Sequence, residues 1–201
     1  ALQKAHAANT TPFPDAAASD PARLGWMTGS PPPADRTLRF EDGSYFQFPA
    51  MRWSVSNFRQ LMPTMNVSRG LGAPGKLAYA LRSDIDALTF TPLGATAPMS
   101  WEQSLAANYT DGIVVLHRGR VVYERYFGVL KDDGQHGAMS VTKSVVGTLG
   151  AMLVAEGTLD AGKQVADYVP ELSRSAFGNA TVRQVLDMTT GLKFSEDYAD
   201  P

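Results

Sequence analysis

The chain has 201 residues, long enough to bury a substantial core. Hydrophobic residues make up 44% and charged residues 19%, as in a globular protein, and a net charge of −2 leaves no basic footprint for nucleic acid. The absence of cysteine excludes disulfides, thiolate metal sites and a cysteine nucleophile, but leaves the compartment open.

Residues 1–36 are rich in Ala, Pro, Ser and Asp, include Pro31-Pro32-Pro33, and read as an extended or wrapping arm. Next come two short alternating runs, Thr37 to Phe40 and Tyr45 to Phe48. They flank Asp42-Gly43, so a β-hairpin is expected over 37–48. Residues 49–99 mix turns, punctuated by Pro63, Pro74, Pro92 and Pro98, with short helices expected at Asn57 to Met62 and Asp84 to Leu88. The first long helix is expected from Trp101 to Asn108. Strands at 112–116 and 120–127 should then form an antiparallel pair joined at His117-Arg118-Gly119. A polar loop, 128–138, leads to Ser140.

Ser140-Val141-Thr142-Lys143 opens a strongly apolar helical run. Helix positions three apart share a face, which sets the Lys143 amine one turn from the Ser140 hydroxyl. A serine hydroxyl becomes a good nucleophile only when a neighbouring base takes its proton. A helix N-terminus adds positive potential and free N–H groups beside any oxyanion formed there. The bare tetrapeptide is a weak signal, since serine is also a common N-cap and an exposed lysine is ordinary. Its context is more informative. Val141, Val145, Leu149, Met152 and Leu153 share one face, so the helix is expected deep in a core. Gly147, Gly150 and Ala151 allow close approach of a neighbour, and Glu156-Gly157 ends the helix with glycine in the C′ position. The longest apolar run, Val145 to Ala155, is too short to span a bilayer.

Other chemistry is poorly supported. Of His6, His117 and His136, only His136 is near Ser140 in sequence, as the one local option for a histidine base. Asp132, Asp133 and His136 lack metal-ligand spacing, and the adjacent Glu196 and Asp197 read as a solvated acidic loop. No metal or organic cofactor is implied.

An ordered set of segments adds a resemblance. Asp111 to Phe127, the helix after Ser140, Gly157-Thr-Leu-Asp160, Val165 to Leu172 and Thr181 to Leu192, with its Thr189-Thr190-Gly191-Leu192 turn, follow one another. Over about residues 100–201 this succession resembles the serine β-lactamase and penicillin-binding-protein superfamily, on its class C and esterase side. Met139 to Ser144, Asp167 to Leu172, Gln184 to Met188, Glu196 to Pro201, Arg52-Trp53, Leu61 to Pro63 and Val67 to Arg69 are similar, more closely, to linear-amide hydrolases that act on 6-aminohexanoate oligomers.

The resemblance implies an α/β (α+β) sandwich with an antiparallel sheet flanked by helices. It implies a serine hydrolase of linear amides or carboxylic esters, with Ser140 as nucleophile, Lys143 as base, and Tyr198 lining the substrate cleft. A β-lactamase or D-Ala-D-Ala peptidase is the alternative within the class, and a penicillin-recognising sensor without turnover the alternative outside it. Residues 1–99 are expected as an N-terminal extension and 100–201 as the first part of the catalytic domain. The family's Tyr-x-Asn and Lys/His-x-Gly elements are absent between Tyr198 and Pro201. The expected partners are therefore a small amide or ester substrate and a C-terminal half of the same enzyme, continuous or cleaved, with no nucleic acid and no membrane.

Overall fold

The computed structural model describes residues 13–193 and 195 of the protein; Tyr198 lies outside them. The chain divides into two compact units, Ala1–Gly137 and Ala138–Pro201.

In the first unit, the arm folds into a turn and helix α1 (Pro21–Leu24). The Asp20 carboxylate accepts the Ala22 N–H at 2.8 Å, and Gly25 closes the helix at φ +65°. Helix α2 (Met51–Ser54) is buried through Arg52, Trp53 and Ser54. Leu38, Ala50 and Trp53 form a core against which Trp26, Met27, Leu61 and Val129 pack. Single 3-10 turns stand at Phe58–Gln60 and Ile85–Ala87, within the two stretches expected to be short helices.

The hairpin expected over 37–48 does not form; a 3-10 turn occupies Ser44–Phe46. Short side chains satisfy the backbone locally instead. Asp42 Oδ1 accepts the Ser44 N–H and Ser44 Oγ accepts the Arg39 N–H, both at 2.9 Å. Such bonds compete with a cross-strand ladder.

The sheet is built from β1 (Ala78–Tyr79), β4 (Gly112–His117) and β5 (Arg120–Tyr126), in the order β1-β5-β4. A separate pair consists of β2 (Thr89–Phe90) and β3 (Met99–Ser100). β4 and β5 are antiparallel as expected, and β1 joins β5 in parallel, so the sheet is mixed. Arg118 (φ +50°) and Gly119 (φ +75°) make the two-residue turn between β4 and β5. Positive φ at both positions matches the strand twist. A bulge between Val115 and Leu116 shifts the register, and Val121, Val122 and Tyr123 are buried beside it. Helix α3 (Trp101–Ala107) starts in a capping box: Ser100 Oγ accepts the Gln103 N–H at 3.0 Å, and Gln103 Oε1 accepts the Ser100 N–H at 2.8 Å.

In the second unit, helix α4 (Val141–Ala155) ends at Glu156, with Gly157 at φ +76°. Helix α5 (Val165–Tyr168) begins in a Gln164/Asp167 capping box and α6 (Val182–Leu186) in a Thr181/Gln184 one. A bridge between Gln164 and Thr181 ties their starts together, supported by Val165 N–H donating to Ala180 O at 2.8 Å. Gly150 allows close approach, since a Cβ there would lie 3.0 Å from Leu186. The rest of α4 departs from expectation. None of its residues is buried, and Val141, Val145, Val146, Leu149, Met152 and Leu153 are between 42% and 63% exposed. A helix this apolar needs cover on several sides, and the described residues of its unit cover little of it.

Candidate active site

The sequence around Ser140 favours a helix start, but Ser140 does not act as a side-chain cap. Its backbone is already helical (φ −70°, ψ −5°) and its hydroxyl caps no backbone N–H. The hydroxyl instead accepts a hydrogen bond from Lys143 Nζ at 2.9 Å. The three-residue spacing thus brings the two functional groups into direct contact. The N–H groups of Val141, Thr142 and Lys143 donate to the carbonyls of Ala138, Met139 and Ser140 at 3.0 to 3.1 Å, which tightens the first turn. Met139, just before Ser140, sits at φ +44°. A residue with a side chain rarely occupies that region, and such positions cluster at functional sites.

Ser140 and Lys143 are both exposed. The burial expected around the start of this helix is therefore not supplied by the described residues. Tyr198, the third expected site residue, lies outside the described residues.

His136 is engaged elsewhere, within the first unit. Its Nε2 lies 3.2 Å from Asp111 Oδ2 and its Nδ1 lies 3.1 Å from Gly137 O. Both ring nitrogens thus have partners, which leaves the histidine-base alternative without support. Asp111 also accepts from Arg52 at 3.1 Å. The sequence reading missed this cluster, because its members are 59 and 25 residues apart and no motif spacing marks them. Among the described residues, no group of three His, Cys, Asp or Glu side chains could hold a metal ion. No helix among them is long and apolar enough to cross a membrane.

The sheet of the first unit carries its own polar pairs. The Tyr123 hydroxyl donates to Asp86 at 2.6 Å and, with Arg125, holds that carboxyl below its ordinary range. Tyr126 and Tyr79 do the same for Glu124. In return, Glu124 pushes the Tyr126 hydroxyl up to about 12.

Known proteins place the chain. It is 34% identical over 190 residues to 6-aminohexanoate-dimer hydrolase of Paenarthrobacter ureafaciens, a match covering 94% of this chain and 41% of that protein. A solved structure from Bacillus anthracis, provisionally assigned as a 6-aminohexanoate-dimer hydrolase, superposes with a TM-score of 0.65 at 28% identity. That match covers 76% of this chain and 40% of the other. The chain thus spans about two fifths of the length of these relatives. The likeness bears out the β-lactamase-like fold expected from the sequence. The Beta-lactamase family profile matches residues 101–201, half of the chain, and the chain belongs to that family.

Proposed function

We propose that this chain carries the acylating serine of a hydrolase acting on linear amides or carboxylic esters. The observation that carries the reading is the 2.9 Å contact between Lys143 Nζ and Ser140 Oγ at the start of a 15-residue helix. In the reactive form Lys143 is neutral and takes the Ser140 proton as Oγ bonds to the substrate carbonyl carbon. The tetrahedral oxyanion sits near the helix start, where the Ser140 N–H is one donor. The leaving amine or alcohol departs with a proton, and water then releases the acid and regenerates the hydroxyl. Tyr198 is assigned to the substrate amide, where an amine leaving group needs more proton assistance than an alkoxide.

The family match to residues 101–201 supports reading 100–201 as the first part of the catalytic domain and 1–99 as an extension before it. The exposed apolar faces of α4, and the two-fifths share of the relatives' length, support a partner segment. That segment would be the C-terminal half of the same enzyme. It would cover α4, desolvate Lys143 and supply the second oxyanion donor.

The test is performed on the native polypeptide that carries this sequence. Incubation with an activated ester should give an acyl adduct on the peptide containing Ser140, found by mass spectrometry. Ser140→Ala should abolish both adduct and turnover, by several orders of magnitude on the scale of other serine hydrolases. Near-normal turnover in Ser140→Ala would overturn the reading. A penicillin adduct that persists without turnover would point to the sensor alternative instead.

A further inference from the structure

The chain approaches Ser140 through His136 and Gly137, and both residues are tied down within the first unit. Gly137 donates its N–H to the Val55 carbonyl at 2.6 Å, at the C-terminal end of α2. A Cβ there would lie 2.5 Å from the Phe58 ring, so any larger residue would force that ring to shift. The His136 ring meets two acceptors, the Gly137 carbonyl and Asp111 Oδ2. The other oxygen of Asp111 accepts from Arg52. Arg52 is 6% exposed, and its second amino group donates to Ala16 O at 2.8 Å and Ser19 Oγ at 2.9 Å. One carboxylate therefore joins the N-terminal arm, α2, the start of β4 and the segment leading to Ser140.

Stability is a weak explanation for this arrangement. Burying an arginine–carboxylate pair costs desolvation that its mutual attraction barely offsets, and apolar packing of similar volume often does better. Arg52 Nε also finds no partner among the described residues, a further cost. What a connected polar network does well is hold one geometry. The geometry in question is next to a strained position: Met139, two residues past Gly137, stands at φ +44°. Such a conformation persists only where its surroundings hold it.

We propose that Asp111 and His136 are positioning residues for Ser140. With Arg52 as the fixed post, they hold the chain ahead of the nucleophile so that Met139 stays in the left-handed region just before Ser140. The proposal rests on the nucleophile reading above.

The experiment uses the native polypeptide with Asp111→Asn and His136→Ala, singly and together, assayed on an activated ester. Each single variant should lose kcat on the order of 100-fold, the scale of a 1 Å misplacement, with KM held. The double variant should lose no more than the worse single, because both changes break one chain of contacts. His136→Gln, which keeps an N–H donor toward Asp111, should recover part of the loss. Amide exchange at Gly137 should speed up in His136→Ala and slow again in His136→Gln. Full kcat in the single variants, additive losses, or losses that simply track a lowered melting temperature would overturn the proposal. The two readings fail differently. Residual turnover in Ser140→Ala sinks the nucleophile and this proposal together, whereas an inert Ser140→Ala beside a fully active His136→Ala sinks the positioning role alone.

Discussion

The two units differ in how they satisfy their apolar residues. The first buries Leu38, Ala50, Trp53, Leu105, Val121 and Val122 around its short helices and a sheet. The second has a longer and more apolar helix, α4, yet buries none of its residues; among the described residues of that unit, the buried apolar side chains are Ala180 and Val182, near the bridge between Gln164 and Thr181. The contrast teaches that α4 is not built for the described residues alone. Its apolar faces require more cover than the described residues of its unit provide, and on the proposed reading Lys143 at its start shares that need, because desolvation is one way an amine becomes a base.

The sharpest way to break the comparison is at Lys143. If the second unit carries the chemistry, Lys143→Met in the native polypeptide should cut acylation by several orders of magnitude, as loss of a member of a catalytic unit does. Arginine keeps the charge but does not deprotonate in the working range, so Lys143→Arg should be nearly as inactive. An active Lys143→Arg enzyme, measured by burst kinetics, would limit the lysine to an electrostatic role.

Stability measurements sharpen the same contrast. Trp53→Ala should destabilise residues 1–201 by about 3–5 kcal/mol, because it empties the core of the first unit. Leu149→Ala, on a side chain 56% exposed, should change the same chain by less than about 0.5 kcal/mol. In a longer polypeptide that covers α4, the Leu149 substitution should instead cost about 2–5 kcal/mol. Urea unfolding of both lengths checks this, and equal small effects of Leu149→Ala in the two lengths would show that nothing covers that face.

The smallest effect lies on the sheet. The Glu124 hydrogen bond raises Tyr126 to about 12, above its unfolded value. The raised value favours the neutral hydroxyl in the folded protein. Its contribution is therefore complete below about pH 10 and is lost as pH rises through about 12. Phenolate absorbance should show Tyr126 titrating late alongside Tyr79 and Tyr123, whose hydroxyls are also raised, and Glu124→Gln should bring Tyr126 and Tyr79, but not Tyr123, back toward the ordinary value. A titration unmoved by that substitution would remove Glu124 as the cause.

The elements legible in the sequence were those decided by near neighbours. Ser140 and Lys143 meet because three residues make most of a helical turn. The β4–β5 hairpin follows from two strand-forming runs around Arg118-Gly119, and α4 ends where Glu156-Gly157 predicts. The hairpin expected over 37–48 failed for an equally local reason, the capture of backbone donors by Asp42 and Ser44, which the alternating pattern concealed.

Tertiary structure alone decided the rest. The parallel pairing of Ala78–Tyr79 on β5, the bridge from Arg52 through Asp111 to His136, and the exposure of α4 each depend on which distant segments meet. Closing a long loop costs entropy that no short-range preference signals. Such contacts form only where burial and hydrogen bonding across the whole unit outweigh that cost. An apolar helix in the sequence therefore declares a need for cover, while the fold determines whether and by what that need is met.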